Sequence, residues 1–181
     1  STDNYNVAVG RDAGNDITTG IQNTLIGGLA GDALTDADYN VAVGVSALTS
    51  DTLGSRSTAI GYAALDSQNF TTATNAYNTA IGAFSAQNLT TGQFNTFVGD
   101  VSAGSGVVTG THNTSIGMET LYALTSGIDN CIMGYQAGAK ITTGAHTVAV
   151  GREALETEDT GSASTAVGPL YLKITKNDAL Y

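Results

Sequence analysis

Residues able to do acid–base, nucleophilic or metal chemistry are few in this 181-residue chain, and their spacing favours none of these reactions. The two histidines, His112 and His146, occupy the same position of a repeat described below, two repeats apart. At about 4.8 Å per repeat, roughly 10 Å would separate them, which is too far to share a metal ion. Cys131 is the single cysteine, so an internal disulfide is excluded and no metal-ligand spacing is present.

The acidic residues fall in segments predicted as turns, where they indicate a solvated surface and not an acid/base pair. They are found at Asp32, Asp36, Asp38 and Asp51 and in the segment 153–159. The sequence therefore predicts no catalytic residue, no metal site and no cofactor. We do not expect the chain to be an enzyme.

The charge balance limits the classes of partner. Sixteen acidic residues against six Lys and Arg give a formal net charge of −10, and Arg11 and Arg56 are the basic residues before Lys140. A basic patch that could neutralise phosphates is not expected, which argues against nucleic acid and against an anionic membrane surface. No apolar run approaches the roughly 18 residues of a membrane-spanning helix.

An internal repeat organises the elements that would carry any site. An apolar residue followed by Gly recurs at Gly10, Gly27, Gly44, Gly61, Gly82, Gly99, Gly117, Gly134, Gly151 and Gly168, mostly 17 residues apart. Seventeen residues are too few for two packed helices but suit short strands joined by tight turns. The sequence predicts an all-β solenoid (a parallel β-roll) of about ten coils over 1–168. The segment 169–181 is expected to be a C-terminal cap or a connection to a further domain.

The strand before each Gly is apolar on both faces. We expect the residue before Gly, which is Val, Ile or Met, to point into the coil. The residue before that one would then point outward, although it is seldom polar. A strand apolar on both faces is buried on both faces, so the outer face is expected to pack against another chain. Leu25, Phe97 and Ile132, the largest residues of this row, are the candidates for a trimer interface.

Three other repeat positions have structural interpretations. The Gly is expected to supply a turn with positive φ or a close approach of two backbones. Asn opens seven of the ten copies, and it tolerates the left-handed region and can form a ladder of stacked amides. The Thr-Thr-Gly segments, such as 90–92, are expected to form the opposite corner.

Two features are candidates for receptor binding. The position before the opening Asn is mostly aromatic or His and would form a stripe along the solenoid; Tyr39, Tyr77 and Phe94 belong to it. The coil between Gly61 and Gly82 carries four extra residues, which places Phe70 on a predicted bulge. Corner or inter-chain packing is the favoured interpretation of the stripe, and a neutral insertion that of the bulge. Because the net charge is negative, a glycan bound there is expected to be neutral.

The core motif Asn-Thr-Ala-Ile-Gly, at 78–82 and nearly at 57–61, resembles the repeats of two kinds of fibrous protein. It is similar to the head repeats of trimeric autotransporter adhesins, and more similar to repeat arrays of bacteriophage tail fibres. The resemblance implies an extracellular homotrimer of β-rolls, with the first strand of each coil near the three-fold axis. It also implies a shaft or receptor-binding role in host attachment, on a virion tail fibre or on a bacterial cell surface.

Three alternative classes of protein share part of this pattern. A bacterial trimeric surface adhesin head is the first. A hexapeptide-repeat acyltransferase is disfavoured, because each coil has one unit of the six-residue pattern where three are needed. An ice-binding solenoid is less favoured, since it needs a flat face of regularly spaced Thr. The threonines of this chain are expected in corner pairs or facing inward.

Overall fold

A computed structural model describes residues 4–169, and within them the protein is built from short β-strands and turns. Short strands are what a 17-residue period with β-branched residues before Gly favours. The strands are β1 (Val7–Val9), β2 (Thr24–Ile26), β3 (Val41–Val43), β4 (Gly54–Ser55), β5 (Thr58–Ile60), β6 (Thr74–Asn75), β7 (Thr79–Ile81), β8 (Thr96–Val98), β9 (Thr114–Ile116), β10 (Cys131–Met133), β11 (Val148–Val150) and β12 (Thr165–Val167).

Ten of these strands form one parallel sheet in sequence order, from β1 to β12 without β4 and β6. Each strand pairs in register with the equivalent residues of the next coil, as in Thr24↔Val41 and Thr96↔Thr114. The step between partners is 17 residues, except for 21 between β5 and β7 and 18 between β8 and β9. The predicted β-solenoid is confirmed. The expected cap at 169–181 lies, apart from Pro169, outside the described residues.

The facing predicted for the strands is wrong. From Leu25 to Ala166 the middle residue of each strand in the large sheet is buried, whereas the first and third residues are partly or well exposed. Leu25, Phe97 and Ile132 are fully buried in the core of their own chain and cannot reach a partner. The alternation of side chains along each strand defines two faces, but it does not show which face lies inside the coil. The interior is completed by Ala and Leu from the turns, such as Ala64 and Leu121.

The repeated Gly stacks into a column along the solenoid. Each has a φ between 129° and 140°, and from Gly10 to Gly151 an added Cβ would lie under 3.0 Å from the carbonyl oxygen of the next Gly in the column. Both expected reasons for Gly, a positive φ and a close backbone approach, are confirmed. The column lets successive coils keep the strand spacing at this corner.

A ladder of Asn side chains runs parallel to the Gly column, as predicted. The Oδ1 of each opening Asn, such as Asn78, accepts the backbone N–H of the equivalent residue in the next coil at 2.8–3.2 Å. Its Nδ2 donates across the coil to a carbonyl near the Thr-Thr-Gly corner at 2.7–2.9 Å. Each amide thus closes its own coil and binds the next one.

The left-handed conformation is not adopted by the opening Asn. It is adopted by the residue before it, including Tyr39, Arg56, Tyr77 and Phe94, with φ between 50° and 67°. The tolerance of Asn for positive φ is therefore not the reason for its presence; its two hydrogen-bonding atoms are. The left-handed residue turns the chain into the strand and directs its own side chain outward.

Candidate interaction surfaces

The outer sheet face consists of the first and third side chains of each strand in the ten-stranded sheet. The third residue is Val, Ile or Met in every strand, and the first is Thr, Val or Cys. Ile26, Ile60, Ile81 and Ile116 all remain between 37% and 39% exposed. At about 4.8 Å per strand, nine steps make this face roughly 43 Å long.

Charge is absent from this face although the chain carries a net charge of −10. None of the outward residues of the ten strands is Asp, Glu, Lys or Arg. The acidic residues lie instead in the turns, for example Asp12, Asp36 and Asp100. A long uncharged, mainly apolar face on an acidic protein is the pattern of a surface that another surface covers.

The corner column is the row of left-handed residues before the opening Asn: Tyr5, Gln22, Tyr39, Arg56, Tyr77, Phe94, His112, Asp129, His146 and Ala163. The predicted stripe is present. Tyr77 stacks on Phe94 with ring centroids 5.4 Å apart, and Phe94 stacks on His112 at 4.9 Å, with interplanar angles of 15° and 6°.

This stacking limits what the corner column can bind. Both faces of Phe94 are covered by its neighbours, and the Arg56 guanidinium lies 5.8 Å from the Tyr77 ring centroid on the following coil. A sugar that stacks on an aromatic ring needs an open ring face. The edges of Tyr77 and Phe94 are exposed, but their faces are occupied. The geometry supports the packing interpretation of these residues over a row of sugar-stacking platforms.

Arg56 interrupts the row of rings. Its guanidinium carbon lies 4.5 Å from the ring centroid of Tyr39, and its Nε donates to the Asn75 side chain at 3.1 Å. Asn75 belongs to β6, which pairs with β4 just before Arg56. Among residues 4–169, Arg11 and Arg152 each form an ion pair with a neighbouring carboxylate, whereas Arg56 forms none.

The four-residue insertion does not present Phe70 to solvent, so the prediction of Phe70 as a receptor contact is wrong. Phe70 is only 6% exposed, and its backbone N–H donates to a carboxylate oxygen of Asp51 at 3.0 Å. The exposed part of the insertion is Thr71, Thr72 and Ala73. The Phe70 side chain points inward because the interior of the coil shields it from water.

A buried polar cluster lies under the insertion. Asp51, expected on the solvated surface, is fully buried, and it accepts N–H groups of Gly54 and Phe70 at 3.0 Å and of the Gln68 side chain. Gln68 Oε1 in turn accepts the Asn78 amide at 2.9 Å. Desolvation raises the pKa of Asp51 above its ordinary value, although its hydrogen-bond donors oppose this.

The cluster fills a gap in the Asn ladder, because Ser57 stands where the coils on either side have Asn40 and Asn78. Gln68 reaches Ser57 Oγ with its Nε2 at 3.0 Å and supplies the acceptor for Asn78 that a residue 57 amide would have provided. Sequence reasoning missed this cluster. Aligning the coils on their Gly would have found it, since Asp51 and Gln68 occupy the position that Leu34 and Ile141 fill elsewhere.

The histidines are not brought together. His112 lies against Phe94, and His146 Nε2 is 3.5 Å from the Asp129 carboxylate in the neighbouring coil. Across residues 4–169 no group of three or more His, Cys, Asp or Glu side chains is arranged to hold a metal ion. Cys131 is exposed on the outer sheet face.

The described part of the chain has no helix long and apolar enough to cross a membrane. Comparison with protein-family profiles, curated protein sequences and solved structures found no match.

Proposed function

We propose that this chain is a rod-like shaft segment of an extracellular homotrimeric fibre, of the kind found in phage tail fibres, that serves host attachment. The observation that carries the proposal is the uncharged outer sheet face. It replaces the row of Leu25, Phe97 and Ile132 as the surface through which three chains would join. Each chain would turn its large sheet toward the three-fold axis.

A second and third copy of the chain fit this face better than an unrelated partner does. The face is roughly 43 Å by 10 Å, or about 400 Å², which is comparable with the largest apolar patch of a typical monomer, a patch that is often functional. Its side chains repeat at the strand spacing, so a partner must have the same period to match them along the whole length. Parallel copies around a symmetry axis place identical coils at identical heights.

The test compares two Ile→Asp variants by sedimentation equilibrium. Ile81 lies on the outer sheet face and Ile128 lies outside it, and each is 38% exposed in the single chain. Ile81→Asp should yield folded monomers, because a buried unpaired carboxylate costs several kcal/mol at an interface. Ile128→Asp should remain trimeric. A monomeric wild type at micromolar concentration, or a trimeric Ile81→Asp variant with unchanged circular dichroism, contradicts the proposal.

A bacterial surface adhesin head remains the alternative location for the same trimer, and the same face would be used. The surrounding gene products or the parent particle would separate the two locations. In either case attachment to a glycan or receptor would come from the exposed corners, because the outer sheet face would be covered.

An ice-binding role is a second candidate, favoured by one specific observation. The objection that Thr faces inward no longer holds: Thr58, Thr79, Thr96 and Thr114 lie on the outer sheet face of four consecutive strands. The adjoining row is Ile or Val and not Thr, as in Ile60. Thermal hysteresis of the monomer, lost in Thr79→Lys, would support this role and exclude an outer sheet face covered by other copies.

A further inference from the structure

Three departures from the repeat pattern meet at one place. The insertion creates β6 beside β4, Ser57 replaces the ladder Asn, and Arg56 replaces an aromatic residue of the corner column. Gln68 accounts for Ser57 and for the buried part of the insertion. It does not account for Arg56, whose side chain is exposed and makes no hydrogen bond to the buried polar cluster.

Arg56 is held in one orientation by three neighbours. The Tyr39 ring lies 4.5 Å from the guanidinium carbon, the Tyr77 ring lies 5.8 Å away on the other coil, and Asn75 Oδ1 accepts the Nε proton at 3.1 Å. The two terminal nitrogens of this guanidinium form no hydrogen bond with the described residues, so they remain free to donate to a ligand. A guanidinium group that is already ordered loses less conformational entropy when it binds a carboxylate.

No acidic side chain of the described residues neutralises this guanidinium. Asp38, next to Tyr39 in the preceding coil, forms no ion pair with the guanidinium, and its Oδ1 accepts the backbone N–H of Ile21 at 2.8 Å. Arg152 gives the contrast: it lies 5.9 Å from the Tyr135 ring, but its guanidinium is paired with Glu153 at 2.7 Å. Arg56 and Arg152 both lie beside a Tyr ring, but Arg152 is paired with a carboxylate and Arg56 is not paired with any carboxylate of the described residues.

We infer that Arg56, with Tyr39, Tyr77 and Asn75, forms a shallow binding site for a carboxylate-bearing saccharide, such as a uronic or sialic acid unit of a surface polysaccharide. The fork binds the carboxylate with two parallel N–H···O bonds. The exposed hydroxyls of Tyr39 and Tyr77 offer hydrogen bonds to sugar hydroxyls.

The net charge of −10 favours neutral glycans at long range. The local geometry favours an acidic unit once it is in contact with Arg56. The site goes beyond the proposed shaft role and does not need assembly, because all of its residues come from one chain. If the chain is trimeric, three such sites at one height would strengthen binding of a polymer by effective concentration.

The experiment measures binding of glucuronate and of glucose to the whole chain by saturation-transfer NMR, at sugar concentrations up to about 10 mM. Glucuronate should bind with millimolar affinity and glucose much more weakly, because the two differ by the carboxylate. Arg56→Gln should weaken glucuronate binding about fivefold or more, and Arg56→Lys should recover part of the loss since it keeps the charge but not the fork.

Arg152→Gln is the matched control and should bind as the wild type does. Circular dichroism and sedimentation of each variant separate a lost site from a lost fold or a lost trimer. The inference is overturned if the wild type does not bind glucuronate, if glucose binds equally well, or if folded Arg56→Gln binds as tightly as Arg152→Gln. A monomeric wild type that still binds glucuronate would refute the fibre and leave this site standing.

Discussion

Ile132 and Ile116 lie on adjacent strands and face opposite ways, so they give a direct measure of which face is internal. Ile132 is the middle residue of β10 and fully buried, whereas Ile116 is the third residue of β9 and 37% exposed. Ile132→Ala should lower the free energy of unfolding by about 2–5 kcal/mol, because it removes buried carbons and leaves a cavity. Ile116→Ala should lower the free energy of unfolding by roughly 1.5 kcal/mol. Full transfer of the removed carbons from water would contribute about 2.4 kcal/mol, but part of this side chain stays in water and no cavity forms.

Urea unfolding followed by circular dichroism, over about a hundredfold range of protein concentration, separates folding from assembly. The loss in Ile132→Ala should be the same at every concentration. Any additional loss in Ile116→Ala should appear only where the wild type is assembled. Equal losses for the two variants at the lowest concentration would refute the assigned facing. A larger loss for Ile116→Ala there would restore the facing expected from the sequence.

Two further predictions concern the backbone column and the buried carboxylate. Gly27→Ala should destabilise the chain by at least roughly 1–3 kcal/mol in urea unfolding, because its φ is +138° and an added Cβ would meet the Gly44 carbonyl. Gly28→Ala is the control and should be neutral, because a Cβ there would meet only the Arg11 carbonyl oxygen at 3.9 Å. The raised pKa of Asp51 means that the folded chain binds more protons than the unfolded chain above pH 3.8. The contribution of Asp51 to the free energy of unfolding should therefore be highest below pH 3.8 and decrease as the pH rises through the raised pKa of the folded chain. Asp51→Asn should reduce the slope of the unfolding free energy against pH in this range. An unchanged slope in Asp51→Asn would show that the carboxyl is not the source.

The architecture was predictable because the glycine period is a backbone requirement. A Gly at φ near +130° whose Cβ site is filled by the next coil cannot be replaced without strain, so it marks every coil in the sequence. The Asn ladder was predictable for a similar reason, since each amide makes bonds that a shorter side chain cannot make. Where Ser57 breaks the ladder, Gln68 has to replace the missing amide.

The left-handed turns were not predictable from residue type. Leu48, Leu65, Phe84 and Leu121 adopt φ between 48° and 54°, although this conformation is unfavourable for residues with a Cβ. Hydrogen bonds between coils offset the strain: Leu48 donates to the Ala64 carbonyl at 2.9 Å, and Phe84 to that of Tyr62 at 2.8 Å. These bonds depend on the neighbouring coil, so a coil with Leu at this position gives no local signal, whereas Gly31 and Gly138 at the same position of other coils do.

The facing of the strands was predictable from volumes, although not from polarity. Where the middle residue of a strand is large, the turn residue six positions later is small: Leu25 is followed by Gly31, and Ile132 by Gly138. A Cβ added to Gly31 would lie 2.7 Å from Leu25 Cδ2. Where the middle residue is Ala, the turn residue is large in most coils, as in Ala42 with Leu48, whereas Ala8 and Ala80 are followed by Gly14 and Ala86.

When a large strand residue is matched by a small turn residue of the same coil, both side chains occupy one closed interior of fixed volume. The middle row of the strands is therefore the internal one. The third residue of each strand behaves differently, since it stays Val, Ile or Met along the whole sheet and no other row varies with it. An inner row must adapt to the side chains opposite it in its own chain. A row of constant size has no such constraint from within, and it suits a partner surface whose own residues repeat at the same spacing. The constancy of the outer sheet face is thus an argument for self-association that does not depend on the identity of any single residue.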